Sequence, residues 1–257
     1  MASFARGSAR GAAISAEDDR TRPGEELLAL LFAAGAMPSV EQVEAAAAES
    51  DGFAVIHKPE SAHGWIEVLV TGLSFELAWR GSRAETVVQR VGLPGDWTAE
   101  GREVLAIRPG PHLAGGANIL PVVRGALALA DALARATGPE AIVWRPAGVA
   151  SDPGSFAEAV RSWLSGGAFP APLLVSMARG DSGELVSSGL DFFVGQEIAI
   201  QPSGASGEDA RLALRLADRL VTSGPVVAPE AVMSQEGQPI SLQPSPDGAR
   251  LTVRRGA

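Results

Sequence analysis

The 257-residue chain contains no cysteine and no tyrosine, and Lys58 is its only lysine. Without thiols there is no disulfide, no thiolate metal site and no cysteine nucleophile. Lysine chemistry, a Schiff base or a phosphate-binding loop, rests on Lys58 alone, and no GxxxxGK[ST] pattern surrounds it. Long apolar runs are missing too. The longest, "LLALLFAAGAM" at 27–37, contains glycine and falls short of the ~18 residues a membrane helix needs. The opening stretch "MASFARGSARGAAISAEDDRTRPGEE" has arginines but no apolar signal region, and its "EDD" argues against a transit peptide. Residues 1–24 therefore read as a flexible leader, and no membrane association is expected; the expected compartment is the cytoplasm.

What is present is a soluble globular composition, 46% hydrophobic and 20% charged. The length suits one large domain or two of about 100–150 residues each. Thirty acidic against 21 basic residues give a net charge of −9, which repels phosphate backbones. Arg211, Arg215 and Arg219 stand four apart on a candidate helix. Glu208 and Asp218 lie close by and no aromatics interleave, so nucleic-acid binding is not expected.

Turn signals and periodicity divide the chain. "PSVEQVEAAAAES" (38–50) carries a capping box, with Ser39 as N-cap and Gln42 three residues on. "GFAVIHK", "WIEVLV" and "LSFELAW" read as strands, with Gly72 at a hairpin and alternation that buries one face of 73–79. A helix is expected over 82–92, ending at Gly92, and a strand over 102–108. The clearest helix spans 119–138, with Asn118 as N-cap and Gly138 as its stop. Beyond it come a strand at 141–146 and a helix at 151–167 capped by Asp152. Strands follow at 171–178 and 187–200, then a helix at 206–224 and two strands within 237–256 around a Pro-Asp-Gly turn. The implied order is β-α-β-β-β-α-β over 25–108 and β-α-β-β-α-β-β over 141–254. The expected fold is α+β: two ferredoxin-like units with split β-α-β order, mixed or antiparallel sheets, and helices packed on one face. The units are taken as 25–118 and 119–257, joined through the long 119–138 helix.

Within 141–200, three features stand out: a strand with Trp144 followed by Gly148, a short helix containing Phe156, and "GLDFFVGQE" with Gly189, Leu190, Gly195 and Glu197. In this combination the segment resembles the bacterial family catalogued as domain of unknown function 4261. "GPVVAPEAVMSQEGQ", where the family leads one to expect a polar Gly-Asp-Thr-like turn, departs from it. The resemblance implies a fold and a bacterial, cytosolic setting, and no reaction.

Candidate chemistry is sparse. Read as a strand, 187–200 puts Phe193, Gly195, Glu197 and Ala199 on one side, leaving room above the Glu197 carboxylate for a ligand, a backbone or an arginine. A buried carboxylate needs a partner. Arg145 would be that partner if 141–146 and 187–200 were paired strands. His57, Glu60 and His63 form a metal-ligand set only on paper, since Pro59 breaks any helix between them. His112 is an isolated loop residue, and Asp181 and Ser182 in "RGDSGE" do not form a Gly-x-Ser-x-Gly elbow. Trp97, in the polar loop "LPGDWTAEG", either marks a contact surface or folds back on its own domain. Neither a metal nor a cofactor is expected. The sequence favours a non-enzymatic module that works by contact with an unknown protein partner, as an immunity protein does. The alternative is a small-molecule hydrolase or ligand-binding enzyme with Glu197 and an arginine between the two units.

Overall fold

A computed structural model describes residues 25–59, 64–82, 85–203, 206–233 and 237–256. The expected leader, Glu60 and His63 lie outside the described residues. The chain builds two mixed sheets. The first has eight strands in the order β2-β3-β4-β6-β1-β7-β8-β5. These are β1 (Leu28–Phe32), β2 (Ala54–His57), β3 (Trp65–Val70), β4 (Leu73–Ser82), β5 (Gln89–Val91), β6 (Glu103–Pro109), β7 (Ala141–Trp144) and β8 (Val149–Ser151). The second has six, β12-β13-β14-β11-β10-β9: β9 (Ser176–Arg179), β10 (Leu185–Ser188), β11 (Glu197–Ile200), β12 (Glu230–Met233), β13 (Pro239–Pro244) and β14 (Arg250–Arg255). Six helices accompany them: α1 (Val40–Glu49), α2 (Leu120–Thr137), α3 (Pro153–Leu164), α4 (Ala171–Leu174), α5 (Asp191–Val194) and α6 (Ser206–Ser223).

Local signals set the long helices. Ser39 accepts from Gln42 N–H while the Gln42 side chain accepts from Ser39 N–H, closing the capping box of α1. Asp152 accepts from the N–H groups of Gly154 and Ser155 at the start of α3. Gly138 takes the left-handed conformation (φ 64°) that ends α2. At the other end of α2 the N-cap is Ile119, one residue after the expected Asn118, and no side chain caps it.

The large sheet is buried on both faces, each for its own reason. Leu28, Leu30, Phe32, Leu105 and Ile107 point to one side and join Val123, Leu127 and Leu133 of α2 in the main core. Each such side chain contributes about 1.5–3 kcal/mol through burial. On the opposite side a row of small residues runs through the register: Ala78 opposite Ala106, Ala106 opposite Ala29, Ala29 opposite Val143, Val143 opposite Ala150. Among the described residues no helix packs on this row. Instead the chain leaves β4, reaches β5 at the far edge of the sheet, and returns to β6. The excursion lays Val87, Leu93, Trp97 and Ala99 against the alanines. This accounts for two departures from expectation. Within the expected helix over 82–92, residues 85–92 are not helical, because Val88 N–H and the β5 backbone bond to Gly148 and β8. Strand β4 is buried on both faces, including Glu76 and Ala78.

Strands β6 and β7 are both antiparallel to β1, which lies between them, and α2 connects them. That is one split β-α-β unit, and it runs across the expected boundary at residue 118. Strand 141–144 pairs with β1 and β8, both in the large sheet, so the expected pairing of 141–146 with 187–200 does not occur. The chain passes from one sheet to the other between β8 and β9. Segment 171–178 starts as the short helix α4 and becomes β9 only at Ser176, since Pro172 cannot donate to a ladder. A continuous buried cluster nonetheless runs through both sheets, from Leu28 and Trp144 to Ile198 and Val253.

Candidate functional site

The stretch 187–200 is a strand, a turn and a strand. β10 ends at Ser188, α5 makes a single turn, Gly195 closes it at φ 69°, and β11 begins at Glu197. The expected one-sided alignment of Phe193, Gly195, Glu197 and Ala199 is therefore not formed. A Cβ on Gly195 would meet nothing within 4 Å, so this glycine supplies a left-handed backbone and does not make room for the acid. The close approach occurs at Gly189 (φ 88°), where a Cβ would lie 2.5 Å from Ala147 Cβ and 2.8 Å from Ala147 Cα.

Glu197 holds this turn together. One carboxylate oxygen accepts from the N–H groups of Gly189 at 2.7 Å and Asp191 at 3.2 Å; the other accepts from the Ser187 hydroxyl. The Ser187 hydroxyl also accepts from Ile198 N–H at 2.7 Å. Register pairing between β10 and β11 covers Leu185 and Val186, and beyond them the Ser187 hydroxyl serves as the bridge between the strands. Burial pushes the Glu197 carboxyl above its ordinary range, the neighbouring Asp191 adds to this, and the Ser187 bond opposes it. The product of the arrangement is a pair of aromatic rings. Phe192 meets Trp144 edge-on at 5.4 Å, and Phe193 stacks on Trp144 at 5.9 Å. Phe169 and Trp163 extend the cluster. Glu197 thus positions the α5 turn against the large sheet.

Arg145 faces elsewhere. Its guanidinium donates to Glu85 (Nε to Oε2, 3.0 Å) and forms an ion pair with Glu26, which also binds Arg80 at 2.6 Å. Burial pushes the Arg145 guanidinium down to about 10, so it remains charged at neutral pH. A second pair, Arg108 with Glu76, bridges β6 and β4 with both residues buried. These carboxylates were not legible as partners, since Glu85 and Arg145 are 60 positions apart and meet only because the excursion after β4 crosses the sheet. Glu197 and Arg145 are each occupied, and not by each other.

Trp97 is half-buried against the alanine row, with the Arg102 guanidinium 4.9 Å from its ring centre. Arg90 fixes its loop by donating to the carbonyls of Gly95 and Trp97, both at 2.8 Å. An open cleft of about 410 Å³ lies beside it, lined by Glu85, Val88, Arg90, Trp97, Thr98 and Glu100 among others. Val88 is 67% exposed there. A second cleft of about 410 Å³ includes Gly195, Val194, Pro225, Val227 and Pro244; Glu197 is not in its lining. His57 ends β2 and His112 lies in the turn after β6, both remote in sequence from the Asp181–Ser182 turn, where the Ser182 hydroxyl bonds Glu184. Of the arginine stripe, Arg219 pairs with Glu230. Among the described residues no three His, Asp or Glu side chains converge as a metal site requires, and no helix is long and apolar enough to cross a membrane. No protein-family model, curated protein or solved structure matches this chain.

Proposed function

We propose that this chain is a non-enzymatic protein-interaction module that binds its partner through the cleft beside Trp97. One observation carries the reading. The loop holds the half-buried Trp97 at the rim of the cleft, with Arg90 fixing its carbonyls, Arg102 over the ring and exposed Val88 alongside. A tryptophan and an arginine around an apolar patch match the composition of interaction hot spots. The net charge of −9 favours a partner with a basic contact surface, and charge complementarity speeds and orients such encounters. An immunity-like neutralising role fits this charge. On this reading the chain is a cytosolic bacterial protein of the family catalogued as domain of unknown function 4261. The split β-α-β formed by β6, α2 and β7 around β1, which spans residue 118, is the element of ferredoxin-like order that supports this fold reading.

The test is affinity capture from a native bacterial lysate using the intact chain and the Val88→Glu variant. The reading expects a stoichiometric protein that is retained by the first and lost by the second, at equal fold stability. Recovery of no such protein, together with a metabolite that raises the melting temperature, would instead support a ligand-handling protein and overturn the proposal.

A further inference from the structure

Each sheet has two edges, and an exposed edge strand invites pairing unless it is blunted. The β5 and β9 edges face one another and are closed by Gln89: its side-chain oxygen accepts from Met177 N–H at 3.0 Å, and its nitrogen donates to Pro172 O at 3.2 Å. The β2 edge is broken by a bulge between Val55 and His57, and Lys58 beside it is tied to Glu44 on α1. Both are ordinary protections against edge pairing. The β12 edge has neither device. Its register with β13 is regular over all four residues, and Met233 on it is 67% exposed.

The ladder shows which backbone groups this edge presents. Gly256 N–H donates to Pro239 O, so Pro239 turns its carbonyl toward β14. Successive residues of an antiparallel strand turn their backbone groups to opposite sides. Ile240 and Leu242 therefore turn theirs toward β12, onto their register partners Val232 and Glu230. Ala231 and Met233 are left presenting N–H and C=O outward. Pro229, the next position with outward parity, has no N–H, so the free ladder is confined to those two residues.

The geometry points to a second copy of this chain as the occupant: β12 pairs antiparallel with its own symmetry mate, about a two-fold axis through Val232. Backbone parity admits this register. Ala231 stands opposite Met233 of the second copy and exchanges both backbone bonds with it, and the symmetric exchange repeats on the other side of the axis. Side chains agree with the backbone. A small residue faces a large one at each outward pair, and Val232 faces Val232, as two-fold contacts require of an isologous patch. Glu230, the acid on this strand, is paired with Arg219 at 2.7 Å, so among the described residues of β12 no acid is left to oppose the approach of a second chain of net charge −9. The product is one continuous sheet of twice six strands. This inference concerns the small sheet and is independent of the Trp97 cleft.

The absence of cysteine makes the test specific to register. Val232→Cys places a thiol on the axis, opposite its own copy at a non-hydrogen-bonded pair, where Cβ atoms come within disulfide reach. Mild oxidation is expected to convert this variant to a covalent dimer, while Gln243→Cys, exposed on β13, stays monomeric. For the chain without added cysteine, light scattering is expected to report a mass that doubles as concentration rises. Ala231→Pro removes an outward N–H that no intramolecular bond uses and should return the mass to that of one chain, with the melting temperature unchanged. If Ala231→Pro does not fold, Met233→Lys on the same edge makes the same comparison. A mass of one chain at every concentration up to millimolar, equal cross-linking at 232 and 243, or a dimer indifferent to the edge variants would each overturn the proposal.

Discussion

Replacing Gly189 by alanine tests the joint between the two sheets, and the cost can be worked from two contributions. The first is conformational. At φ 88° an L side chain is strained, which costs about 1–2 kcal/mol. The second is steric. The new Cβ would stand 2.8 Å from Ala147 Cα and 3.1 Å from Ala147 N, which are backbone atoms, so no rotamer relieves the clash. Forced repacking of this kind costs about 1–3 kcal/mol, for a total of about 2–5 kcal/mol. Gly195→Ala is the matched control. Its φ is 69° and its Cβ would meet nothing within 4 Å, so only the conformational part, about 1–2 kcal/mol, applies. Urea denaturation followed by tryptophan fluorescence measures both, because Trp144 lies under the rings that the turn presents. Gly189→Ala should unfold at a distinctly lower midpoint than Gly195→Ala, with Trp144 emission already shifted in its folded baseline. Equal midpoints for the two variants would refute the close packing of the α5 turn on the 145–148 segment.

Three further outcomes follow from the polar contacts. Arg108→Ala strands the buried Glu76 carboxylate and should cost about 3–5 kcal/mol, whereas replacing the pair by Met and Leu together should be close to neutral; denaturant midpoints of the single and double variants decide this. Because the Glu197 carboxyl is raised in the fold, the folded state holds its proton more tightly than the unfolded chain does. Its contribution to stability is thus fully present below the unfolded carboxyl pKa, about 4.3, and is lost as pH rises through the raised folded value. Glu197→Gln should remove that downward slope from a plot of urea midpoint against pH, and an unchanged slope would contradict the assignment. Gln89→Ala deprives Met177 N–H of its acceptor, which should cost about 1–3 kcal/mol and accelerate amide exchange at Met177 ahead of the β10 and β11 amides.

The parts of this fold that were legible in the sequence are those fixed within one helical turn. Ser39 with Gln42, Asp152 before Pro153, and Gly138 after α2 each satisfy or terminate backbone groups a few residues away, so their meaning is local. β-branched and aromatic residues between turn signals placed β3, and alternation placed β4, although it understated the burial of that strand's second face. The errors arose where distant chain supplied the partner. Segment 82–92 has a helix-compatible pattern, but Gly148 and β8 claim its backbone bonds, and nothing within the segment announces that. Phe192 and Phe193 sit in an apolar run that reads as strand, and two distant conditions turn it into a tight reversal: the Trp144 surface that receives the rings, and the Glu197 carboxylate that gathers Gly189 and Asp191 N–H. Gly189 and Gly195 both drew notice, but a glycine in sequence does not say whether it serves conformation or clearance. Of the site residues, Glu197 was legible as an acid in need of a partner. That its partners are three neighbouring donors and not Arg145 follows from the sheet to which β7 belongs.

The commitment of these two charges bears on how such a protein could work. A carboxylate meeting three donors and a guanidinium held between two carboxylates are both committed to charge-assisted bonds, even though burial raises the carboxyl and lowers the guanidinium. Drawing either into a reaction would mean breaking charge-assisted bonds, each worth roughly twice a neutral one, before substrate made any in return. In this chain the same residue types fasten one element to another: Glu197 closes the turn that seats Phe192 and Phe193 on Trp144, and Arg145 draws Glu85, on the segment that covers the alanine row, toward Glu26 at the start of β1. Covering that row leaves Trp97 half-buried and Val88 exposed beside the cleft, and Gln89 closes the β5 and β9 edges.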